Sequence, residues 1–233
     1  MPKAATAITG SKGGAGVAQR IVSLMPPHEL YIEAFAGLGA VGRLKRPSSC
    51  DVFVERDHDH ASSLMTMLPA SAHLVVGDVM QVIVPERIPR DAVVYCDPPY
   101  LMAARRSLRQ YYRHELFSEA EHERFLEWAR RLPCRVLISG YASALYASRL
   151  PGWRVVQFSA QTRGGASAIE TVWCNFAEPA ELHDTRWVGD GFRERERIKR
   201  KVSRWVRRLE KLPLAERAVI LAAFDDAGLP RQK

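Results

Sequence analysis

The chain has 233 residues, of which 47% are hydrophobic, a size that fits one substantial core with an appendage better than two equal domains. Its 34 basic and 26 acidic residues give a net charge of +8, which favours a polyanionic partner, nucleic acid first. No stretch approaches the roughly 18 apolar residues of a membrane span, and the amino terminus lacks the apolar region of a signal peptide. We therefore expect a soluble cytoplasmic protein without a membrane partner; its oligomeric state is not specified by the sequence.

The cysteines and histidines do not predict a metal centre. The four cysteines occur without any Cys-x-x-Cys pair and read as reduced, buried thiols: Cys50, Cys96, Cys134 and Cys174. The run Asp57-His58-Asp59-His60 resembles a ligand cluster, but it opens an apolar-periodic segment through Leu64 and Leu68, where an Asp cap is ordinary. No metal is expected.

The first predicted elements are a glycine-rich loop and a helix. Residues 8–17 carry a single lysine, Lys12, among glycines, and the helical pattern that follows ends at Pro26-Pro27. Its apolar face holds Val17, Ile21, Val22 and Met25. A phosphate-binding loop for nucleoside triphosphates is disfavoured because Lys12 precedes the glycines rather than following them.

A strand over residues 31–35 turns through residues 36–42 into a predicted helix, with Gly37, Gly39 and Gly42 in Gly-x-Gly-x-x-Gly spacing. A second strand over residues 52–54 then ends in Glu55, close to the spacing of a ribose-binding carboxylate. The pair indicates a nucleoside-containing cofactor and leaves a nicotinamide dinucleotide and S-adenosylmethionine open.

A third strand over residues 73–76 is followed by Gly77-Asp78. Asp78 therefore ends a strand at the same predicted sheet edge as Glu55, where it could receive the adenine end of a cofactor. The alternative is that Asp78 only caps the short turn after it.

The stretch that indicates chemistry is Asp97-Pro98-Pro99-Tyr100, directly after a short apolar strand over residues 93–95. The prolines remove the backbone donors that would continue the strand, so Asp97 is presented at its carboxyl end. A carboxylate, the Pro98 carbonyl and an aromatic ring suit an amino group attached to a flat ring, with Tyr100 as a stacking surface. The alternative is a capped strand end with a buried tyrosine.

Basic and aromatic residues then interleave in the segment of residues 102–117, a pattern that combines phosphate contacts with stacking. The predicted nucleic-acid contacts there are Arg105, Arg106, Arg109, Tyr111 and Tyr112. The alternative is a solvated basic helix with its tyrosines packed inward. The loop of residues 159–167, with Arg163 beside two glycines, is predicted to be a flexible rim of the same site.

The remaining pattern predicts an α/β fold. A helix begins at Ser118 with a capping box at Glu121. Strands over residues 135–139, 154–158 and 169–176 complete a seven-stranded, mostly parallel sheet with one antiparallel strand.

Beyond Pro179 the composition changes, and residues 190–211 and 215–227 predict two helices in a basic appendage. We divide the chain into a domain of residues 1–177 and a helical extension of residues 178–233. Three basic residues of the extension are predicted to contact nucleic acid: Lys199, Arg200 and Arg204. The alternative is a solvated face.

Taken in order, these motifs resemble Dam-like DNA adenine-N6 methyltransferases over roughly residues 8–177. The motifs that carry the resemblance are Gly10-Ser11-Lys12-Gly13-Gly14, residues 31–41, residues 97–100, Ser139-Gly140-Tyr141 and residues 170–175. The resemblance implies a Rossmann-like fold that uses S-adenosylmethionine and methylates adenine N6 in DNA. It places Asp97 to Tyr100 on a flipped target base, with Asp97 also bordering the cofactor. The implied cofactor residues are Lys12, Phe35, Gly37, Gly39, Glu55 and Asp78.

The sequence departs from this family in two places. Ala34 stands where the family has proline, and only residues 79–92 are available where family members of this motif order carry a target-recognition domain. Target specificity is thus either relaxed or supplied by the arginine-tyrosine segment and the basic extension. An RNA methyltransferase, a nicotinamide-dependent oxidoreductase and a non-catalytic nucleic-acid-binding protein remain as alternatives.

Overall fold

A computed structural model describes residues 16–100, 118–161 and 167–227. The strands are β1 (Leu30–Ala34), β2 (Cys50–Glu55), β3 (Ala72–Val76), β4 (Val93–Cys96), β5 (Arg135–Gly140), β6 (Arg154–Gln161) and β7 (Ser167–Cys174). The helices are α1 (Val17–Val22), α2 (His58–Met65), α3 (Val79–Val82), α4 (Glu119–Arg131), α5 (Ala144–Arg149), α6 (Phe192–Glu210) and α7 (Leu214–Asp226).

All seven strands form one sheet in the order β3-β2-β1-β4-β5-β7-β6. The strands from β3 to β5 pair in parallel, and β7 runs antiparallel to both β5 and β6. The predicted fold class, a seven-stranded sheet with one antiparallel strand, is confirmed. Because the chain crosses from β3 over β2 and β1 to β4, the strand order reverses between β1 and β4, the position at which such sheets bind ligands.

The core lies on both faces of the sheet, because successive side chains of its central strands point to opposite sides. Ile32 and Val94 pack on one face with α4 residues such as Phe125. Tyr31 and Tyr95 pack on the other face among residues of α1. All four cysteines are free thiols, and three are buried as predicted; Cys50 is only partly buried, contrary to the prediction.

Several local predictions are confirmed. The apolar face of the first helix is buried, Asp57 caps α2 and Ser118 forms a capping box with Glu121 at the start of α4. Two predictions are wrong. Residues 37–44 form consecutive turns rather than a helix, because Gly37 and Gly39 adopt positive φ angles of 53° and 62°. The predicted loop of residues 159–167 is too long, because β6 and β7 continue pairing as far as Gln161 and Ser167.

The carboxyl-terminal helices α6 and α7 bury no residue, whereas each of the other described α-helices buries at least one. The segment that leads to them is attached to the sheet domain: His183 stacks on His28 with ring centroids 3.9 Å apart, and Arg20 pairs with Asp190 at 2.8 Å. Neither these helices nor any other described helix combines the length and apolar character needed to span a bilayer.

Candidate active site

The turn after β1 is built around backbone conformations that few side chains tolerate. Phe35 has φ 58° and directly follows the strand, and its ring is held edge-on against Phe125 at 5.4 Å. A left-handed conformation in a non-glycine residue is uncommon and strained, and strained residues cluster at functional sites. A Cβ on Gly39 would lie 2.9 Å from the Leu64 side chain, whereas a Cβ on Gly37 would meet no atom within 4 Å. The turn is therefore packed against the Leu64 side chain at Gly39 and has free space beside Gly37.

Glu55 links this turn to the end of β2. One of its carboxylate oxygens accepts a hydrogen bond from the Gly37 N–H at 2.6 Å, and the other accepts from the Asp57 N–H at 2.8 Å. The residue is only 9% exposed. A buried acceptor beside an open glycine turn fits the hydroxyl groups of a ribose, so the residues present fit a nucleoside cofactor.

Asp78 lies at the same edge, after β3. It caps α3 by accepting a hydrogen bond from the Met80 N–H at 3.0 Å, and Arg56 lies 3.7 Å from its carboxylate. The cap that the sequence left as an alternative is thus present. A contact between Asp78 and a cofactor stays a prediction.

Asp97 follows β4, beside the turn after β1. The Ser139 hydroxyl, at the end of the neighbouring strand β5, donates a hydrogen bond to Asp97 Oδ1 at 3.0 Å. The Tyr95 hydroxyl lies 2.9 Å from the Ser139 oxygen. Since serine has a single hydroxyl hydrogen and gives it to Asp97, Tyr95 must donate to Ser139. Burial raises the pKa of Tyr95 well above its usual value, helped by the nearby charge of Asp97, so this phenol keeps its proton.

Two of the described contacts orient Tyr100. Its hydroxyl donates to Glu170 Oε1 on β7 at 2.6 Å, and its ring meets the ring of Tyr141 edge-on with centroids 4.6 Å apart. Tyr141 directly follows β5, so contacts from two neighbouring strands converge on Tyr100. The ring therefore has a fixed orientation three residues beyond Asp97.

A second buried carboxylate, Glu33 on β1, lies under the glycine turn. One of its oxygens accepts hydrogen bonds from the Gly42 N–H at 2.5 Å and the Tyr31 hydroxyl at 3.1 Å. Burial raises the pKa of Glu33 to about 7, opposed by these hydrogen bonds and assisted by the charge of Asp97. Glu33 therefore titrates near neutral pH.

The structure brings the predicted residues Phe35, Gly37, Glu55, Asp78 and Asp97 to one edge of the sheet, the carboxyl ends of β1 to β4. Pro98 is buried and Pro99 is partly buried. Seven predicted residues lie outside the described part of the chain: Lys12, Arg105, Arg106, Arg109, Tyr111, Tyr112 and Arg163.

The three predicted basic residues of the extension are exposed on α6, a helix that follows all seven strands in the chain: Lys199, Arg200 and Arg204. They share one side of that helix with other basic residues, opposite the apolar stripe that includes Trp205. The amino end of α6 reaches the start of α1, where Arg195 lies 3.0 Å from the place a Cβ on Gly16 would occupy.

The partners of the predicted residues carry no recognisable signal of their role in the sequence motifs. Ser139, Tyr141 and Glu170 were recognised as parts of motifs without a role, and Tyr95 as a strand residue. The signal available was their position, because Ser139 and Tyr141 flank the end of a strand next to β4. The hydroxyl of Tyr100 was given no role beside the ring, and only the structure reveals its partner.

The strand order, the glycine turn and the acidic residues at the carboxyl ends of the strands form a Rossmann-like fold with a site suited to a nucleoside cofactor. Residues 54–150 match the family model of the D12 class N6 adenine-specific DNA methyltransferases. The matched part of the chain contains β4 and Asp97. The match confirms the family that the motifs predicted, and with the family it confirms the cofactor. The chain is therefore a methyltransferase.

Comparison with solved structures finds other methyltransferases at low similarity. A TehB-like SAM-dependent methyltransferase from Corynebacterium glutamicum is 14% identical, with a TM-score of 0.44 over 69% of this chain and 87% of that one. A precorrin-6y C5,15-methyltransferase from Geobacter metallireducens is 11% identical, with a TM-score of 0.44 over 73% and 91%. A SAM-dependent methyltransferase from Agrobacterium tumefaciens is 10% identical, with a TM-score of 0.43 over 67% and 58%. Comparison with curated protein sequences gives no significant match.

Metal ligands do not group together in the part of the chain that the structure describes. No set of three or more His, Cys, Asp or Glu side chains there is arranged to hold an ion. The Asp57 carboxylate of the run suspected from sequence instead accepts hydrogen bonds from the Asp59 and His60 N–H groups. The Asp57 carboxylate in this run therefore caps the amino end of α2.

Proposed function

We propose that the protein transfers a methyl group from S-adenosylmethionine to adenine N6 in DNA, with the target base flipped into the site of Asp97 to Tyr100. The observation that carries the proposal is the Ser139 hydrogen bond to Asp97 at the end of β4, which favours the carboxylate as an acceptor, next to the fixed ring of Tyr100. The family match over residues 54–150 supports adenine and DNA as the substrate.

Asp97 has the central chemical role. The adenine amino nitrogen is a weak nucleophile because its lone pair is delocalised into the ring. Hydrogen bonds from the amino group to the Asp97 carboxylate and the Pro98 carbonyl would orient its two hydrogens and favour a pyramidal nitrogen. The carboxylate would also stabilise the positive charge that develops on that nitrogen during transfer.

Residues at the ends of β1, β2 and β3 would hold the cofactor. Glu55 would accept hydrogen bonds from the ribose, the open side of Gly37 would admit the nucleoside, and Phe35 and Asp78 would border it. S-adenosylmethionine supplies an electrophilic methyl group on a sulfonium centre. The protein's task is then to align the two substrates and to exclude water between them.

Tyr100 would receive the flipped base. An adenine inside a duplex cannot present its amino group to Asp97, a partly buried carboxylate at the end of β4, so the base must leave the stack at a cost of a few kcal/mol. Stacking on the Tyr100 ring offsets part of that cost. The base then lies against a surface that the Tyr141 and Glu170 contacts have already oriented.

The basic residues would supply affinity for the backbone. Lys199, Arg200 and Arg204 on α6 are exposed and suited to phosphate contacts, which carry no direct sequence information. Between β3 and β4 the chain has only α3 and a short 3-10 turn at Pro85–Arg87, too little for a recognition domain. We assign reading of the target sequence to the arginine-tyrosine segment after Tyr100.

A labelling experiment tests this function. The purified protein is incubated with methyl-labelled S-adenosylmethionine and either duplex DNA or RNA of the same sequence, and the modified nucleosides are identified after digestion. We expect N6-methyladenine in DNA and little label in RNA. Label only in RNA would replace DNA as the substrate, and label in neither would overturn the proposal.

A further inference from the structure

Glu170 is a buried carboxylate of β7 that the chemistry above does not use directly. It is 5% exposed and lies opposite Phe158 of β6, while the next residue, Thr171, lies opposite Gly140 at the end of β5. The side chain is therefore placed at the same sheet edge as Asp97, one strand beyond β5.

The contact between Glu170 and Tyr100 joins residues 70 positions apart in the chain. At 2.6 Å it is at the short end of the range for a hydroxyl donor and a carboxylate acceptor, the geometry of a strong hydrogen bond. It fixes the hydroxyl end of the ring, and the Tyr141 contact fixes one edge at a centroid distance of 4.6 Å. With both contacts in place, rotation about the Tyr100 side-chain bonds is restricted.

We infer that Glu170 is a positioning residue, which holds the Tyr100 ring in the orientation needed to stack on the extruded base. The inference rests on the proposed function, because it assumes that Tyr100 receives a base. A ring already held in its bound orientation loses less side-chain freedom when the base arrives, so part of the cost of base extrusion is avoided. In this role Glu170 acts on the base through the Tyr100 hydroxyl and needs no contact of its own with the base or the cofactor.

A purely structural role for the same bond makes different predictions. If the bond only ties β7 to the segment after β4, its loss would lower stability and reduce all activities together. If it positions the ring, its loss would affect base extrusion and methylation while leaving cofactor affinity and folding largely unchanged. The two roles are separated by removing the bond from each end in turn.

The test is a double-mutant cycle on the full chain with Tyr100→Phe, Glu170→Ala and both together. Glu127→Ala, which alters an exposed carboxylate on α4, is the matched control. Four quantities are measured: kcat/KM for DNA methylation, S-adenosylmethionine affinity, thermal stability, and fluorescence of 2-aminopurine placed at the adenine that the wild type methylates. The fluorescence reports extrusion of the base without requiring methyl transfer.

We expect each single variant to lower kcat/KM by about 10-fold to 100-fold, the cost of one hydrogen bond to a charged group, and the double variant to be no worse than either. Fluorescence amplitude should fall in parallel, with cofactor affinity and stability close to the control. Glu170→Gln should be the mildest change, because an amide oxygen still accepts from the phenol. It also serves as the folded comparison if Glu170→Ala is unstable.

Three results would overturn the inference. Additive losses in the double variant would mean that the two residues act separately. Wild-type values of fluorescence and kcat/KM in Tyr100→Phe would mean that the hydroxyl bond has no function. A wild-type protein that does not methylate adenine in DNA would overturn the proposed function and this inference with it, an outcome visible before any variant is made.

Discussion

The Ser139 hydroxyl donates a hydrogen bond to Asp97 Oδ1 over 3.0 Å, joining the ends of two neighbouring parallel strands. Tyr95 donates in turn to Ser139, so both hydrogen bonds are donated in the direction of the Asp97 carboxylate. The Ser139 hydrogen bond favours Asp97 as an ionised acceptor, the state in which it can bind both the amino group and a developing positive charge.

We predict that Ser139→Ala lowers kcat for methylation by about 10-fold or more, because Asp97 loses a charge-assisted hydrogen bond that favours the state it needs. Tyr95→Phe should have a smaller effect, since Ser139 can still donate to Asp97. Single-turnover methylation at saturating cofactor and DNA measures both. Ser148→Ala, which removes an exposed hydroxyl on α5, is the control. Equal activity of Ser139→Ala and the control would mean that Ser139 does not support Asp97 in the reaction.

Most of the fold could be predicted from the sequence because the signals for its strands and helices are local. The apolar strands, the capping box at Ser118 and the prolines after Cys96 each depend on neighbouring residues. Strands alternating with helices predicted the mostly parallel sheet, whereas the order of its strands is seen only in the structure. The glycine turn was predicted wrongly because Gly37 and Gly39 adopt positive φ angles, which the sequence does not specify. At Gly39 the close approach of Phe53 and Leu64, residues distant in the chain, leaves no room for a side chain.

The site was predicted incompletely for a different reason. Asp97 and Tyr100 belong to one short motif, but their partners Ser139 and Glu170 lie 42 and 70 positions away. Only the pairing of β5 with β4 and of β7 with β5 brings them to the same edge. Such contacts depend on tertiary structure, which the spacing of residues along the chain does not contain.

Glu55→Ala should weaken binding of S-adenosylmethionine by about 1 to 3 kcal/mol, the cost of leaving buried polar groups without a partner. Binding of DNA alone should not change. Titration calorimetry with the cofactor measures the effect, and Glu178→Ala, at an exposed position, is the control. Normal cofactor affinity would move the ribose contact elsewhere, with Asp57 the next candidate.

Glu33 predicts a pH dependence of stability. Its folded pKa of about 7 lies above the ordinary glutamate value of 4.5, so the folded state binds more protons between these limits and stability falls as pH rises through them. At about 1.4 kcal/mol per pKa unit, the loss is about 3 kcal/mol. In urea unfolding from pH 4.5 to 8, the free energy of unfolding of Glu33→Gln should rise relative to that of the wild type as the pH increases. The amide oxygen can accept the same two hydrogen bonds. Glu127→Gln, an exposed control on α4, should track the wild type; a constant gap between Glu33→Gln and the wild type would contradict the prediction.

The role of the basic side of α6 in DNA binding is tested by measuring DNA affinity at a series of salt concentrations. Replacing Lys199, Arg200 and Arg204 together by alanine should weaken DNA binding and flatten its dependence on salt, by about 0.9 in the log–log slope for each phosphate that is no longer neutralised. Target preference and cofactor binding should not change.

The control for α6 removes the same charge from the sheet domain: Arg87, Arg90 and Arg130, all exposed, replaced by alanine. Equal slopes for the two triple variants would mean that α6 contributes only through net charge. A change of target preference in the α6 variant would mean that this helix reads bases.

Asp97→Ala tests the central claim most directly, because Asp97 is assigned to the amino group of the target adenine. N6-methyladenine formation in duplex DNA and S-adenosylmethionine affinity are measured on the same preparation. We predict that methylation falls to the background rate while cofactor affinity stays within a few fold of the wild type. Retained methylation, or loss of cofactor binding equal to the loss of activity, would contradict the assignment.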